Sequence, residues 1–463
     1  MFWLRRSAQL LGQRQQRRRM SAFRMPMMYP KLDDYSLVHL EEVRRFVRDC
    51  LKRIGVPESK LRCVSEFLVA ADYRGIYGSG LNQLDLYLND LHHRRADMDA
   101  EPEIIRETMA SAHVNGNGAL GVIVGKFCMD LAVEKAKKSG VGFVVANQSN
   151  HFGIASWYAL QALDHGYAGL VMSNGAPMMV PPRSKVSSIG ANCLAFGVRG
   201  RDSYFMLDMA ASMKDIGSIE WAVTKNEYIP HSWAADESGY STSFPTLAMR
   251  NPRLASAGAH KGYCLAAMID LLCGVLSGAN FSTQIPSWRS NASGKCPNLG
   301  HIFFAIDPDF FTPDFMERLD DFNECIQNSC PVNVANPVQL PGELEMRHMH
   351  LVEKLGALPY HKGLLRKYKA IAKQFSVKPI RLFQKDDERR MKGQIIRMRE
   401  WHREGLYCGC ICCIFRKRTP TAAASVGFFE KGLLLQRHLY VVFGQKDFSY
   451  WEQCSFFRER TMY

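Results

Sequence analysis

Residues 141–146, Val-Gly-Phe-Val-Val-Ala, form a short apolar run with the β-branched and aromatic content of a buried strand. Residues 154–165 carry apolar side chains at helical spacing. Between them stands the polar run Asn147-Gln-Ser-Asn150-His151-Phe152-Gly153. A strand that feeds a helix through a polar turn makes a mixed α/β unit and sets the turn where a side chain can face a cleft. Within that turn His151 can take or give a proton near neutral pH, which suits general acid–base chemistry. The alternative is a structural histidine bonded to a backbone carbonyl.

The rest of the chain predicts a helical beginning followed by short strands alternating with helices. Residues 36–54 read as an amphipathic helix with Ser36 as its N-cap and Gly55 as its stop. Further helices are expected over 57–74, 81–94 and 122–138, the last stopped by Gly140. Strands follow at 141–146, 167–173, 193–199, 203–207 and 301–306. Helices follow at 154–165, 261–277, 313–328, 344–357 and 362–375. The helix over 261–277 is apolar enough to be expected at the centre of the fold. A G-x-G-x-x-G turn after a first strand is missing, so the pattern is not that of a Rossmann dinucleotide unit.

Charge divides the 463 residues into three parts. Residues 1–32 carry eight basic side chains and no acid, and residues 381–463 carry sixteen basic and nine acidic ones. The total of +14 therefore leaves 14 − 8 − 7, or −1, for residues 33–380. A nucleic-acid reader is expected to carry a basic face on its fold, which argues against that role for the body. The Arg-rich, acid-free leader has the composition of a mitochondrial transit peptide. A cytoplasmic protein with a basic leader, or with a start at Met20, is the other reading. No run of eighteen apolar residues exists, so no transmembrane helix is expected. The cysteines sit mostly in apolar runs, as reduced buried thiols do. The tail holds Cys408, Cys410, Cys412 and Cys413, which could ligate zinc with His402; a second separated ligand pair is missing, and a thiol-rich or lipid-modified segment explains them equally well.

Several motifs in order make the body recognisable: Ser149-Asn-His151-Phe-Gly153, Val171-Met-Ser-Asn174-Gly175-Ala-Pro177, Gly190-Ala-Asn192, Leu207-Asp208-Met209-Ala210, Ile229-Pro230-His-Ser-Trp233-Ala-Ala-Asp236, Lys261-Gly262-Tyr263, Gly274-Val-Leu-Ser-Gly278 and Pro341-Gly342-Glu343. Over residues 34–380 the chain resembles the malate/L-lactate dehydrogenase family, which includes sulfolactate and ureidoglycolate dehydrogenases and is distinct from the Rossmann-type enzymes. The resemblance implies a mixed α/β, non-Rossmann fold that binds NAD or NADP, with a helical N-terminal part and a nucleotide-binding part over about residues 115–300. It also implies a homodimer with sites near the subunit contact, and reversible hydride transfer between the nucleotide and a 2-hydroxy acid. His151 matches the position of the acid/base. Gly175, Asp208, Met209, Ala210, Lys261, Gly342 and Glu343 match positions that contact cofactor.

The substrate end departs from the family pattern. Aligned through Ala71-Asp72-Tyr-Arg74-Gly75, the expected Ser, His and Arg are Gly78, Ser79 and Gln83. The usual Asn-Pro reads Asn192-Cys193. A buried carboxylate wants an Arg partner, and Gln83 carries no charge. Two readings follow. One is an active enzyme in which Ser79 and Gln83 shape a less anionic pocket, with Arg74 as another source of charge. The other is a pseudoenzyme that keeps nucleotide binding. A weaker third reading is an interaction protein whose tail binds an acidic membrane or nucleic acid.

Overall fold

The computed structural model describes residues 34–287, 296–333 and 336–383. The basic leader and the Cys-containing tail lie outside them. The chain starts with strand β1 (Tyr35–Val38) and helices α1 (Leu40–Arg53), α2 (Glu58–Tyr73) and α3 (Leu84–His92). Helix α1 buries Val43, Phe46, Val47, Cys50 and Leu51, with Glu41 and Glu42 in its first turn and Lys52 and Arg53 in its last. That charge order complements the helix dipole. The helix begins four residues later than its pattern predicts. Ser36 is not its cap but a strand residue opposite Tyr360, while His39 stands at the cap in extended conformation. The partner strand comes from the far end of the body, so a local pattern could not show it.

A seven-stranded sheet follows, built from β2 (Glu103–Glu107), β3 (Ser111–Asn115), β4 (Val141–Ser149), β5 (Ala168–Ser173), β8 (Cys193–Arg199), β9 (Tyr204–Ala210) and β12 (Leu299–Ile306). Their order is β2-β3-β4-β12-β5-β8-β9, and only β3 and β4 run parallel. The late strand β12 is inserted between β4 and β5, antiparallel to both. Helices α4 (Gly121–Ser139) and α5 (Ser156–Asp164) pack against the sheet. Helix α4 stops at Gly140 in left-handed conformation, as its sequence predicts.

The small strands β6 (Pro177–Met179), β7 (Ile189–Gly190), β10 (Ala234–Ala235) and β11 (Arg253–Leu254) make a second sheet. Helices α6 (Ile216–Lys225) and α7 (Pro245–Arg250) contribute to the core beside it. Helix α8 (His260–Asp270) continues through a wider π turn, Leu271–Leu276. It is not central, as its apolarity suggests. Ile269 and Cys273 pack on Val145, Met172 and Ile302 of the sheet, while Cys264, Met268, Leu271 and Val275 are exposed along one face.

Helices α9 (Phe315–Gln327) and α10 (Glu343–Leu355), strand β13 (Leu358–His361) and helix α11 (Lys362–Gln374) complete the body. Strand β13 pairs antiparallel with β1, and the Phe383 amide donates to the Leu37 carbonyl. The Tyr360 hydroxyl donates to the buried Asp72 carboxyl at 2.5 Å, and the same carboxyl oxygen accepts the Leu81 amide at 2.9 Å. Burial without a cation raises that carboxyl to about 8. No helix among the described residues is long and apolar enough to cross a membrane, and among them no His/Cys/Asp/Glu group could hold a metal ion.

Candidate active site

The ends of β4, β5 and β9 open onto a cavity of about 470 Å³, within the range of small-molecule sites. His151, Ser79, Gln83, Gly175, Asp208, Met209 and Ala210 all line it, so the structure brings together seven residues that the sequence singled out from distant segments. Lys261, Gly342 and Glu343 do not line it. Lys261 is exposed in the first turn of α8, four residues from the lining residue Ala257. Gly342 caps α10 with φ +96° against Met206, and Glu343 accepts a hydrogen bond from Gln327. From that helix it is Glu345 that reaches the cavity wall.

The turn after β4 is fixed at nearly every residue. The Asn147 amide donates to the Ser277 carbonyl at 2.8 Å, and the Asn150 amide donates to the Gly118 and Ala119 carbonyls, each at 3.0 Å. The Tyr158 hydroxyl donates to the Phe152 carbonyl at 2.6 Å. Gly153 closes the turn at φ +75°, and a Cβ there would stand 1.6 Å from the Phe67 ring. Only glycine meets both demands. His151 is left half-buried in the cavity wall, with Nδ1 2.9 Å from the Tyr87 hydroxyl. Tyr87 is buried on α3, and burial keeps its phenol protonated far above neutral pH.

A second histidine supports this turn from below. His301, fully buried on β12, lies between the ends of β4 and β5. Its Nε2 is 2.7 Å from the Ser149 hydroxyl and its Nδ1 is 2.8 Å from the Ser173 hydroxyl. Its ring stacks on Phe152 at 4.5 Å with an interplanar angle of 6°. Ser173 gives its own hydrogen to the Asn174 carbonyl at 2.9 Å, so Nδ1–H donates to Ser173 and Nε2 accepts from Ser149. Burial lowers this imidazole to about 3, which keeps it neutral. Beyond β5, Asn174 donates to the Asn280 carbonyl at 2.8 Å and accepts the Gly300 amide at 3.0 Å, and at Gly175 an added Cβ would meet open space.

Asp208 accepts the Ser156 amide at 3.1 Å, and burial raises its pKa. Cys193 also lines the cavity; burial pushes its thiol up to about 12, so it is not a thiolate nucleophile. Asp90 and Arg95 form an ion pair at 3.1 Å in the cavity wall. Sequence reasoning missed Tyr87, Asp90 and Arg95, because nothing local says which face of α3 meets the cavity. His301 left a usable signal, as a lone polar ring in the apolar run 299–306.

The segment 78–83, which departs from the family pattern, is well packed. A Cβ on Gly78 would lie 2.5 Å from the Gly217 carbonyl carbon, and one on Gly217 would lie 2.5 Å from the Gly78 oxygen. The Gln83 amide donates to the Gly78 carbonyl at 2.8 Å and to the Glu220 carboxylate at 2.6 Å. The Ser expected at position 78 would not fit this backbone contact.

The sequence profile of the malate/L-lactate dehydrogenase family matches residues 38–369. A malate dehydrogenase of Pyrococcus horikoshii is 32% identical over 354 residues, covering 74% of this chain and 97% of its own. An L-sulfolactate dehydrogenase of Methanothermobacter thermautotrophicus is 32% identical, covering 73% of this chain and 96% of its own. The solved structure of the Pyrococcus horikoshii malate dehydrogenase superposes with a TM-score of 0.68 at 30% identity, covering 75% of this chain and 97% of that one. Fold, ordered motifs and both kinds of likeness agree that the chain belongs to the malate/L-lactate dehydrogenase family, a family of hydroxy-acid dehydrogenases.

Proposed function

We propose that this chain is an NAD(P)-dependent oxidoreductase that interconverts a 2-hydroxy acid and its 2-oxo acid, with His151 as the acid/base. The observation that carries the reading is His151 itself, held in the cavity wall by a locked turn and a buried tyrosine. A nicotinamide nucleotide would supply or accept the hydride at the carbinol carbon. The residues present fit such a group. Gly175 leaves open space beside Asn174, and Asn192, which lines the cavity, has a buried Oδ1 with no protein donor, as a carboxamide N–H would require. Met209 and Ala210 follow Asp208 along the same wall. In the tautomer that turns Nδ1–H toward the Tyr87 oxygen, His151 exchanges its proton at Nε2. It receives the hydroxyl proton during oxidation and returns it during reduction.

The pseudoenzyme reading would gain support from a loosely filled substrate segment. The mutual contact of Gly78 with Gly217 and the bond of Gln83 to Glu220 describe a fitted one instead. The test is titration of the full chain with NADH and NADPH by fluorescence, then a panel of 2-oxo acids with the tighter nucleotide. Binding with turnover is expected; binding with no turnover on any acid would establish the pseudoenzyme.

The exposed apolar face of α8 supports the homodimer. Met268, Leu271 and Val275, at 47, 57 and 57% exposure, continue onto half-buried Phe304 and Leu272. A second copy covering this face would remove that surface from water. Leu271→Glu is therefore expected to halve the mass measured by light scattering, and an unchanged mass would place the contact elsewhere.

A further inference from the structure

We infer that the end of the cavity built from residues 78–83 and 215–220 accepts a hydrogen-bond-donating, uncharged substituent, so that this chain prefers 2-hydroxy acids with a single carboxylate over dicarboxylates. The inference rests on the dehydrogenase reading above and adds a substrate class to it.

Helix α3 provides the scale. Gln83 stands just before it, Tyr87 one turn on, and Asp90 another turn beyond. At about 1.5 Å per residue, Gln83 and Asp90 are roughly 10 Å apart, with the Tyr87–His151 contact between them. A carbinol at His151 thus has one neighbour toward Asp90 and one toward Gln83. At the Asp90 end the Arg95 guanidinium offsets Asp90, so the carboxylate that every 2-hydroxy acid has meets an ion pair there and not unopposed negative charge.

The Gln83 end is different. Both hydrogens of its amide nitrogen are directed to acceptors, the Gly78 carbonyl and the Glu220 carboxylate. Turning the amide over would set its oxygen against two oxygens, so the orientation is fixed by its partners. Gln83 therefore has no amide hydrogen left for a substrate carboxylate. Behind it Glu220 is 8% exposed, and beside Gly78 the carboxylate of Asp215 is held by the Ser218 amide at 2.8 Å and hydroxyl at 2.6 Å. Lys214, also on the cavity wall, is exposed and directed over the Trp233 ring at 5.9 Å. A second carboxylate at this end would face the carboxylates of Glu220 and Asp215 and lose its hydration with no donor from Gln83, leaving only the Ser79 hydroxyl and the exposed Lys214 to meet it. A carboxamide or hydroxyl of the same shape brings its own hydrogen to these acceptors.

The cleanest probes are pairs matched in shape: 2-oxosuccinamate against oxaloacetate, and 2-oxoglutaramate against 2-oxoglutarate. With the full chain and its tighter nucleotide, kcat/KM for each half-amide is expected to exceed that of its diacid by at least tenfold. Gln83→Arg should reverse the order by pairing with Glu220 and offering a cation; Gln83→Lys, with a slimmer side chain, serves if the first variant melts early. A diacid that matches or outruns its half-amide in the unmodified chain overturns the inference and leaves the dehydrogenase reading standing. Turnover of no acid, with nucleotide bound, refutes the dehydrogenase reading and the inference with it.

Discussion

Replacing His151 with alanine is expected to lower kcat by about 10²–10⁴-fold while the nucleotide dissociation constant stays within about twofold. The reason is positional. His151 is the titratable ring bonded to a buried phenol in the cavity wall, and the turn that carries it is tied down by Asn147, Asn150, Tyr158 and Gly153 rather than by His151 itself. Removing the imidazole should therefore leave the fold intact and take away the group that moves the proton. In the unmodified chain the rate should rise with pH in the oxidation direction as neutral imidazole forms, and fall with pH in the reduction direction. The variant should lose both dependences. Steady-state rates from pH 5 to 9 in each direction check this, and a variant that keeps more than a tenth of kcat would place the acid/base elsewhere.

Replacing His301 with phenylalanine is expected to have the larger effect on stability and a second, indirect effect on rate. Phenylalanine keeps the stack on Phe152 but gives neither serine a partner, so the Ser149 and Ser173 hydroxyls stay buried with one hydrogen bond fewer each. Each such loss costs about 1–3 kcal/mol, or roughly 2–6 kcal/mol for the pair. The pH dependence has a definite sign. The imidazole is lowered from an ordinary 6.5 to about 3 in the fold, so its contribution is complete above pH 6.5 and is lost as pH falls toward 3. The stability gap between the unmodified chain and the variant should therefore narrow through that window. Because Ser149 lies two residues before His151 and Ser173 directly before Asn174 and Gly175, Ser149→Ala should mainly lower kcat, while Ser173→Ala should mainly weaken nucleotide binding. Denaturant titrations between pH 4 and 8 test the first point, and equal effects of the two serine variants on both parameters would defeat the second.

Different parts of the structure were legible in the sequence for different reasons. The unit from β4 through His151 to α5 could be read because its signals are local: an apolar run, a polar turn and a glycine. The boundaries of α4 and β8 followed from the same kind of signal. Strand β1 could not be read, because what makes Tyr35–Val38 a strand is β13, and three of its four residues fall within the helix that the local pattern predicts. The hairpin β2–β3 was missed because all five residues of β2 are exposed, which removes the alternation that marks a half-buried strand. Helix α8 lies less deep than its apolarity predicts, since an exposed apolar stripe looks in sequence like one that faces a core. At the site, residue identity carried far: seven of the singled-out residues meet in one cavity. The meaning of Gln83 did not emerge until Glu220, a helix away, was seen to take its hydrogen.

The pairing of β1 with β13 ties the start of the body to the Gln83 end of the cavity in three links. Ser36 lies opposite Tyr360, Tyr360 holds the Asp72 carboxyl, and that carboxyl holds the Leu81 amide at the head of the segment leading to Gln83. Strand β1 is thus part of the frame that holds the segment leading to Gln83. A cut before Asp34 leaves all the residues of these links in the chain. A cut that takes Tyr35–Val38 would remove the strand opposite Tyr360, and with it the support of the Asp72 carboxyl and the Leu81 amide.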